Sequence, residues 1–104
     1  MNLKSLNVKG GTQPELFQGT VDAMARELRT NPAKFWADAL AKDGPIEIWE
    51  IRGERWLYNG NHRYLAAVQA GVDIPANHIT IVDKTGSSIA TWPFDQMTTL
   101  PGLK

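Results

Sequence analysis

Trp56-Leu57-Tyr58-Asn59-Gly60-Asn61-His62-Arg63-Tyr64-Leu65-Ala66-Ala67 is the stretch on which the reading of this chain turns. Residues 55–58, rich in aromatic and apolar side chains, read as a strand. Asn59-Gly60-Asn61 is a polar break made of turn residues. From about His62 the pattern becomes helical: Leu65 and Val68 mark a face, Ala66, Ala67 and Ala70 allow close packing, and Gly71 suits the C-terminal cap. A strand running through a glycine elbow into a helix leaves unpaired amides, and the positive end of the helix dipole, facing outward beside the turn. Gly60 is expected to let a phosphate approach the backbone. Arg63 brings a planar fork of donors matched to phosphate oxygens, and His62 titrates near neutrality and can move a proton. Two cations placed against the positive dipole end are a mismatch that an anionic ligand would relieve.

Working outward, Pro45 precedes a strand at Ile46–Ile51 with apolar residues on both of its faces, which predicts cover on both sides. Arg52-Gly53-Glu54 is a short turn, so this strand and the next form a β-hairpin. Upstream, Val21, Met24, Ala25 and Leu28 recur at i, i+3, i+4 and i+7, one helical face, with Thr20 as the expected cap. Asn31-Pro32 closes that helix and opens a second, Asn31 as cap and Pro32 in the first turn. Phe35, Trp36, Ala39 and Leu40 form its apolar face, and Asp43-Gly44-Pro45 stops it. Residues 3–8 read as a short edge strand that breaks at Gly10-Gly11, and Thr12-Gln13-Pro14-Glu15 as a turn or helix start. Beyond the motif helix, Ile74-Pro75 is a loop and residues 79–82 a further strand. Residues 84–104 read as an irregular tail wrapping the body. The expected class is therefore α/β of the α+β kind: a small mixed sheet, two helices before the hairpin and a motif helix after it.

The chain has 104 residues, the span of one domain, with a motif core at 45–82. Apolar residues at 42% and charged residues at 21% predict an ordinary globular domain rather than disorder. With no Cys, a disulfide scaffold, a Cys-ligated zinc site and a thiol nucleophile are excluded. Two His in the whole chain argue against a multi-His metal site, and no metal ligands are assigned. Zero net charge removes any bulk attraction to nucleic acid or an anionic membrane, so such binding must be local. No apolar run approaches the roughly 18 residues of a membrane span, and the N-terminal residues carry no apolar core of a secretory signal. No membrane partner is expected, and the predicted site of action is cytoplasmic.

Among other polar residues, Glu47, Glu50 and Glu54 sit on or beside the hairpin and read first as solvated charges. A carboxylate there would also serve as a base or hold Mg²⁺ beside a phosphate, and Glu50 is taken as the catalytic candidate. His78 reads as a packed or surface imidazole. Arg52, Arg55 and Arg63 with Trp56 and Tyr58 form a possible basic, base-stacking patch, although Trp56 reads more simply as core.

The run from Tyr58 to Tyr64, followed by Ala66-Ala67 and Gly71, resembles the signature of the ParB/sulfiredoxin-like superfamily, whose members carry a strand ending in an Asp-Gly-His-His-Arg-type turn and then an Ala-rich helix. Thr12-Gln13-Pro14-Glu15 is similar to the Pro-Thr-Gln element of such domains, and Pro45-Ile46-Glu47-Ile48 to the strand before their hairpin, so the likeness spans roughly residues 12–82. It implies a motif turn that binds nucleotide or nucleic-acid phosphate, with His62 and Arg63 matching directly and Gln13 joining the site. The absence of Cys departs from the redox repair members, and no helix-turn-helix follows as in the partition proteins. Asn59 and Asn61 stand where acidic or His residues are common, which puts metal-assisted chemistry at the turn in doubt.

The resemblance implies a toxin-type effector domain, delivered into a bacterial cell as the end of a larger secreted protein and met there by a cognate immunity protein. The expected activity is nucleic-acid cleavage with His62, Arg63 and Glu50 as catalytic candidates. Asn59, Gly60, Asn61, Arg63, Gln13 and Tyr58 are the expected phosphate- and substrate-binding residues, and Mg²⁺ is the candidate cofactor. The alternatives are nucleoside triphosphate hydrolysis or phosphotransfer at the same turn, and phosphate capture without catalysis.

Overall fold

The hairpin forms as its turn chemistry dictates. Strands β3 (Ile46–Ile51) and β4 (Glu54–Asn59) run antiparallel, joined by Arg52-Gly53 with φ of 51° and 82°. Positive φ at both central residues is the two-residue turn whose twist matches that of the flanking strands. The ladder slips once: Ile48 pairs with Leu57 but Glu47 with Asn59, leaving Tyr58 as the extra residue of a bulge beside the elbow. Strand β1 (Val8–Gly11) lies parallel to β4 on one side, and β5 (Ile79–Asp83) parallel to β3 on the other. With β6 (Trp92–Pro93) antiparallel to β1, the order across the mixed five-stranded sheet is β5-β3-β4-β1-β6. The computed structural model describes residues 3–100, with side chains of 5–97, and the chain is an α+β domain.

Three helices complete it: α2 (Gln18–Thr30), α3 (Pro32–Asp43) and α4 (Asn61–Ala70), after a single helical turn, α1 (Leu3–Leu6). Val21, Ala25 and Leu28 of α2 and Ala66 and Ala67 of α4 are buried with Ile46, Ile48 and Leu57 of the sheet, so the core lies between this sheet face and the helices. The small Ala66 and Ala67 of α4 allow close packing, as their size predicted, here against α2. On the opposite face Ile51 and Trp56 are also buried, near Ile89 and Thr91 of the C-terminal segment. Cover on both sides of β3 is therefore confined to its far end, since Glu47, Trp49 and Glu50 stay partly exposed.

Asn31 caps α3 as read, its Oδ1 accepting from the Lys34 amide at 3.3 Å with Pro32 in the first turn. Gly71 ends α4 in the left-handed conformation, with Val72 N–H returning to the Ala67 carbonyl. Four expectations are corrected. Residues 3–6 are helical rather than strand: Leu3 and Leu6 are three apart, buried Leu6 accepts Arg55 Nη1 on its carbonyl at 3.0 Å, and Asn7 at φ 49° turns the chain into β1. Gly10-Gly11 is not a break but the end of β1, which lies inside the sheet rather than at its edge. A Cβ at Gly10 would stand 1.9 Å from the Trp92 carbonyl oxygen, and one at Gly11 2.3 Å from Asn61 Oδ1. These glycines buy close approach.

Thr20 does not cap α2. The helix begins at Gln18 with Phe17 as its cap residue, because Phe17 is anchored from outside the helix by His62. The tail is not irregular throughout: β6 extends the main sheet, Phe94 stacks on Tyr64 at 5.8 Å, and β7 (Thr98–Leu100) pairs in parallel with β2 (Glu15–Phe17). These pairings of two and three residues leave no local period to read. Residues 101–104 of the tail lie outside the described residues. None of the described helices is long and apolar enough to cross a membrane.

Candidate functional site at the β4–α4 elbow

Gly60 makes the elbow. It adopts φ 85°, ψ 28°, a left-handed conformation costly to any residue with a Cβ, and the helix starts one residue later, at Asn61 rather than His62. The first intrahelical bond runs from Tyr64 N–H to the Gly60 carbonyl at 2.9 Å. The amides of Asn61, His62 and Arg63 thus have no acceptor within their own helix, Gly60 offers no side-chain cap, and no acidic residue lies in the first turn. Residues 59–63 line a cleft of about 280 Å³ together with Gln13, Tyr58, Asp43 and Met24. Seven of the eight expected site residues thus meet in one place.

Glu50 does not. It pairs with Arg55 across the hairpin, four rungs from Asn59, about 13 Å at strand spacing. Its carboxylate holds Arg55 Nε at 3.3 Å. The expected basic patch is also absent: Arg52 lies in the far turn, Arg55 is bound to Glu50 and the Leu6 carbonyl, and Arg63 is buried. In place of Glu50 the carboxylate of the cleft is Asp43, at the last turn of α3. The sequence did carry a signal for it, since an acid at a helix C-terminus opposes the dipole, but Asp43 reads there only as a helix stop. Met24, in contrast, is simply one of the apolar residues of α2.

Arg63 turns back under the elbow. Only 3% of the residue is exposed, and Nη1 donates to the Gly44 carbonyl at 2.7 Å. Its Nη2 is buried with no hydrogen-bond partner among the described residues. A Cβ on Gly60 would lie 3.0 Å from that Nη2 and 2.9 Å from Ile46 Cγ1. Gly60 therefore also leaves room for the guanidinium and for Ile46, a packing role beside its conformational one. Burial pulls the Arg63 pKa below its ordinary value, and the Asp43 charge pushes the other way. Arg63, Asp43 and Met24 also line a second cavity, of about 330 Å³, between α2 and α3.

His62 is held as an acceptor: Phe17 N–H donates to its Nε2 at 3.1 Å, and the Phe17 ring lies nearly parallel to the imidazole at 6.3 Å. A backbone amide can only donate, so the imidazole in this arrangement is neutral, with its proton on Nδ1. The Asn61 side chain points inward, its Oδ1 buried against Gly11 and without a hydrogen-bond partner among the described residues. Asn59 Nδ2 makes long contacts to the carbonyls of Asp43 and Pro45, and Gln13 Nε2 donates to the Glu15 carbonyl at 2.8 Å. His78 proves packed, 6% exposed and edge-on to Trp36 at 5.4 Å.

No group of three potential metal-ligating side chains occurs among the described residues. Asp43 alone would suit Mg²⁺ of the kind held by one carboxylate plus substrate phosphates. No protein-family model, curated protein or solved structure matches the chain.

Proposed function

We propose that this chain is a toxin-type effector domain with a ParB/sulfiredoxin-like fold that cleaves nucleic acid at the β4–α4 elbow. The observation that supports this reading is the uncapped start of α4, opening beside a buried guanidinium whose Nη2 has no partner. Amides at a helix N-terminus and an arginine fork make an anion site that gains strength as charge builds on a phosphorus centre. The amides of residues 61–63 hold the phosphate, Arg63 supplies the compensating charge, and His62 moves the proton once it leaves Phe17. Mg²⁺, if carried by Asp43 and the substrate, would supply further charge neutralisation. A cognate immunity protein covering the elbow belongs to the same proposal.

His62 now needs two substitutions, because it has a structural partner. His62→Ala strands the Phe17 N–H and should cost about 1–3 kcal/mol of stability as well as activity. His62→Gln keeps an acceptor but cannot shuttle a proton. It should melt near wild type while cleavage of plasmid DNA or RNA in Mg²⁺ falls at least about 100-fold. Wild-type turnover by His62→Gln would remove His62 from the chemistry, and intact DNA and RNA with the wild-type protein would overturn nuclease activity. The His62–Phe17 bond favours one other reading, phosphate capture without turnover, which predicts phosphate affinity retained in both variants.

A further inference from the structure

Beside the elbow the sheet carries a stack that the phosphate site does not use. Tyr58, the bulged residue of β4, lies on Trp49 of β3 with ring centroids 4.0 Å apart and planes 6° from parallel. Trp49 is held in turn: its indole N–H donates to Glu47, and Lys84 Nζ sits 4.8 Å from its ring centroid. With Tyr58 covering one face of the indole at 4.0 Å, the ammonium occupies the other. The order across the sheet is thus Lys84, Trp49, Tyr58, and the outer end of the stack is the Tyr58 ring. Tyr58 is 44% exposed although one face rests on Trp49, and the same residue lines the elbow cleft.

We infer that Tyr58 is a platform for an unpaired nucleobase whose own phosphate is held at the elbow, so that the ligand class is a nucleotide with a free base face. The inference rests on the phosphate reading of the elbow. An aromatic ring already clamped from behind loses little freedom on binding, and any base has a π face to lay on it. A base inside a duplex has both faces stacked, so the platform selects a single-stranded or splayed-out base. Only two residues separate Tyr58 from Asn61, the first residue of α4, and the bulge lies where the chain leaves the sheet.

The test titrates the full chain with AMP, ribose 5-phosphate and adenosine, in wild type, Tyr58→Phe and Tyr58→Ala. AMP should bind about tenfold tighter than ribose 5-phosphate in wild type and in Tyr58→Phe. In Tyr58→Ala the two should bind alike, the preference for AMP being lost. Equal affinity of the two ligands in wild type, or a preference that survives Tyr58→Ala, would overturn the platform and leave the phosphate site standing. Adenosine binding that depends on Tyr58, without ribose 5-phosphate binding, would keep the platform and overturn the elbow. Failure of all three ligands to bind would overturn both.

Discussion

The two ends of the β3–β4 hairpin each contain a left-handed glycine, and they solve different problems. At the turn end, a Cβ on Gly53 would meet nothing within 4 Å, so glycine serves backbone conformation alone. The polar groups nearby are paired: Glu50 with Arg55, Arg55 with the Leu6 carbonyl, and Lys84 N–H with the Glu50 carbonyl at 2.8 Å. At the elbow end, Gly60 serves conformation and also makes room for Arg63 and Ile46. Three buried side-chain atoms without hydrogen-bond partners among the described residues, Asn61 Oδ1, Arg63 Nη2 and His78 Nδ1, belong to this end, where Ile46 pairs with Ile79. Buried polar groups are normally satisfied, so these exceptions set the elbow end apart from the turn end. At one end of the hairpin the polar groups are paired, and at the other three buried ones among the described residues are not.

The largest effect that separates the two ends is steric. Gly53→Ala should cost roughly 1 kcal/mol, the strain of a left-handed alanine. Gly60→Ala adds overpacking against Ile46 and the guanidinium, for a total of about 2–4 kcal/mol. At about 4–8 °C per kcal/mol for a domain of this size, thermal melts resolve the two variants. Equal losses would erase the distinction.

A smaller effect is pH-dependent. Burial, followed by the nearby Arg63 charge, holds the His78 pKa below its ordinary value of 6.5. Below that value the unfolded chain takes up more protons than the folded one, so this contribution is intact near pH 7 and is lost as pH falls through 6.5 toward the depressed folded value. His78→Phe should flatten the fall in melting temperature between pH 7 and pH 5. An unchanged slope would assign the acid sensitivity elsewhere.

The smallest effect belongs to the turn end. Glu50→Gln breaks a half-exposed ion pair and should shift stability by less than about 1 kcal/mol, with cleavage unchanged. A large loss of cleavage would bring Glu50 back to the site.

Glu50 and Asp43 show why a sequence reading of the site goes only part of the way. Residues 58–63 could be found because strand, elbow and helix are consecutive, and their periods and turn residues place them without reference to the rest of the chain. Gln13 came from the resemblance alone. Asp43 and Met24 enter from α3 and α2, and which carboxylate reaches the cleft depends on how those helices lie on the sheet. His62 shows the same limit, because its character was legible but its engagement with Phe17, 45 residues earlier, was not.

The sequence by itself determined the elements with strong local signals. These are the hairpin with its Arg52-Gly53 turn, the Asn31-Pro32 helix start, the Gly71 stop, and the elbow from Asn59 to Arg63. Tertiary structure alone decided the interior position of β1, the pairings of the C-terminal segment, the start of α2 at Gln18, and the direction of the Arg63 side chain. Turns, caps and periodicity are set by neighbours within about four residues. Pairings of two or three rungs and a guanidinium folded back onto Gly44 are set by contacts between distant parts of the chain, which leave no local pattern.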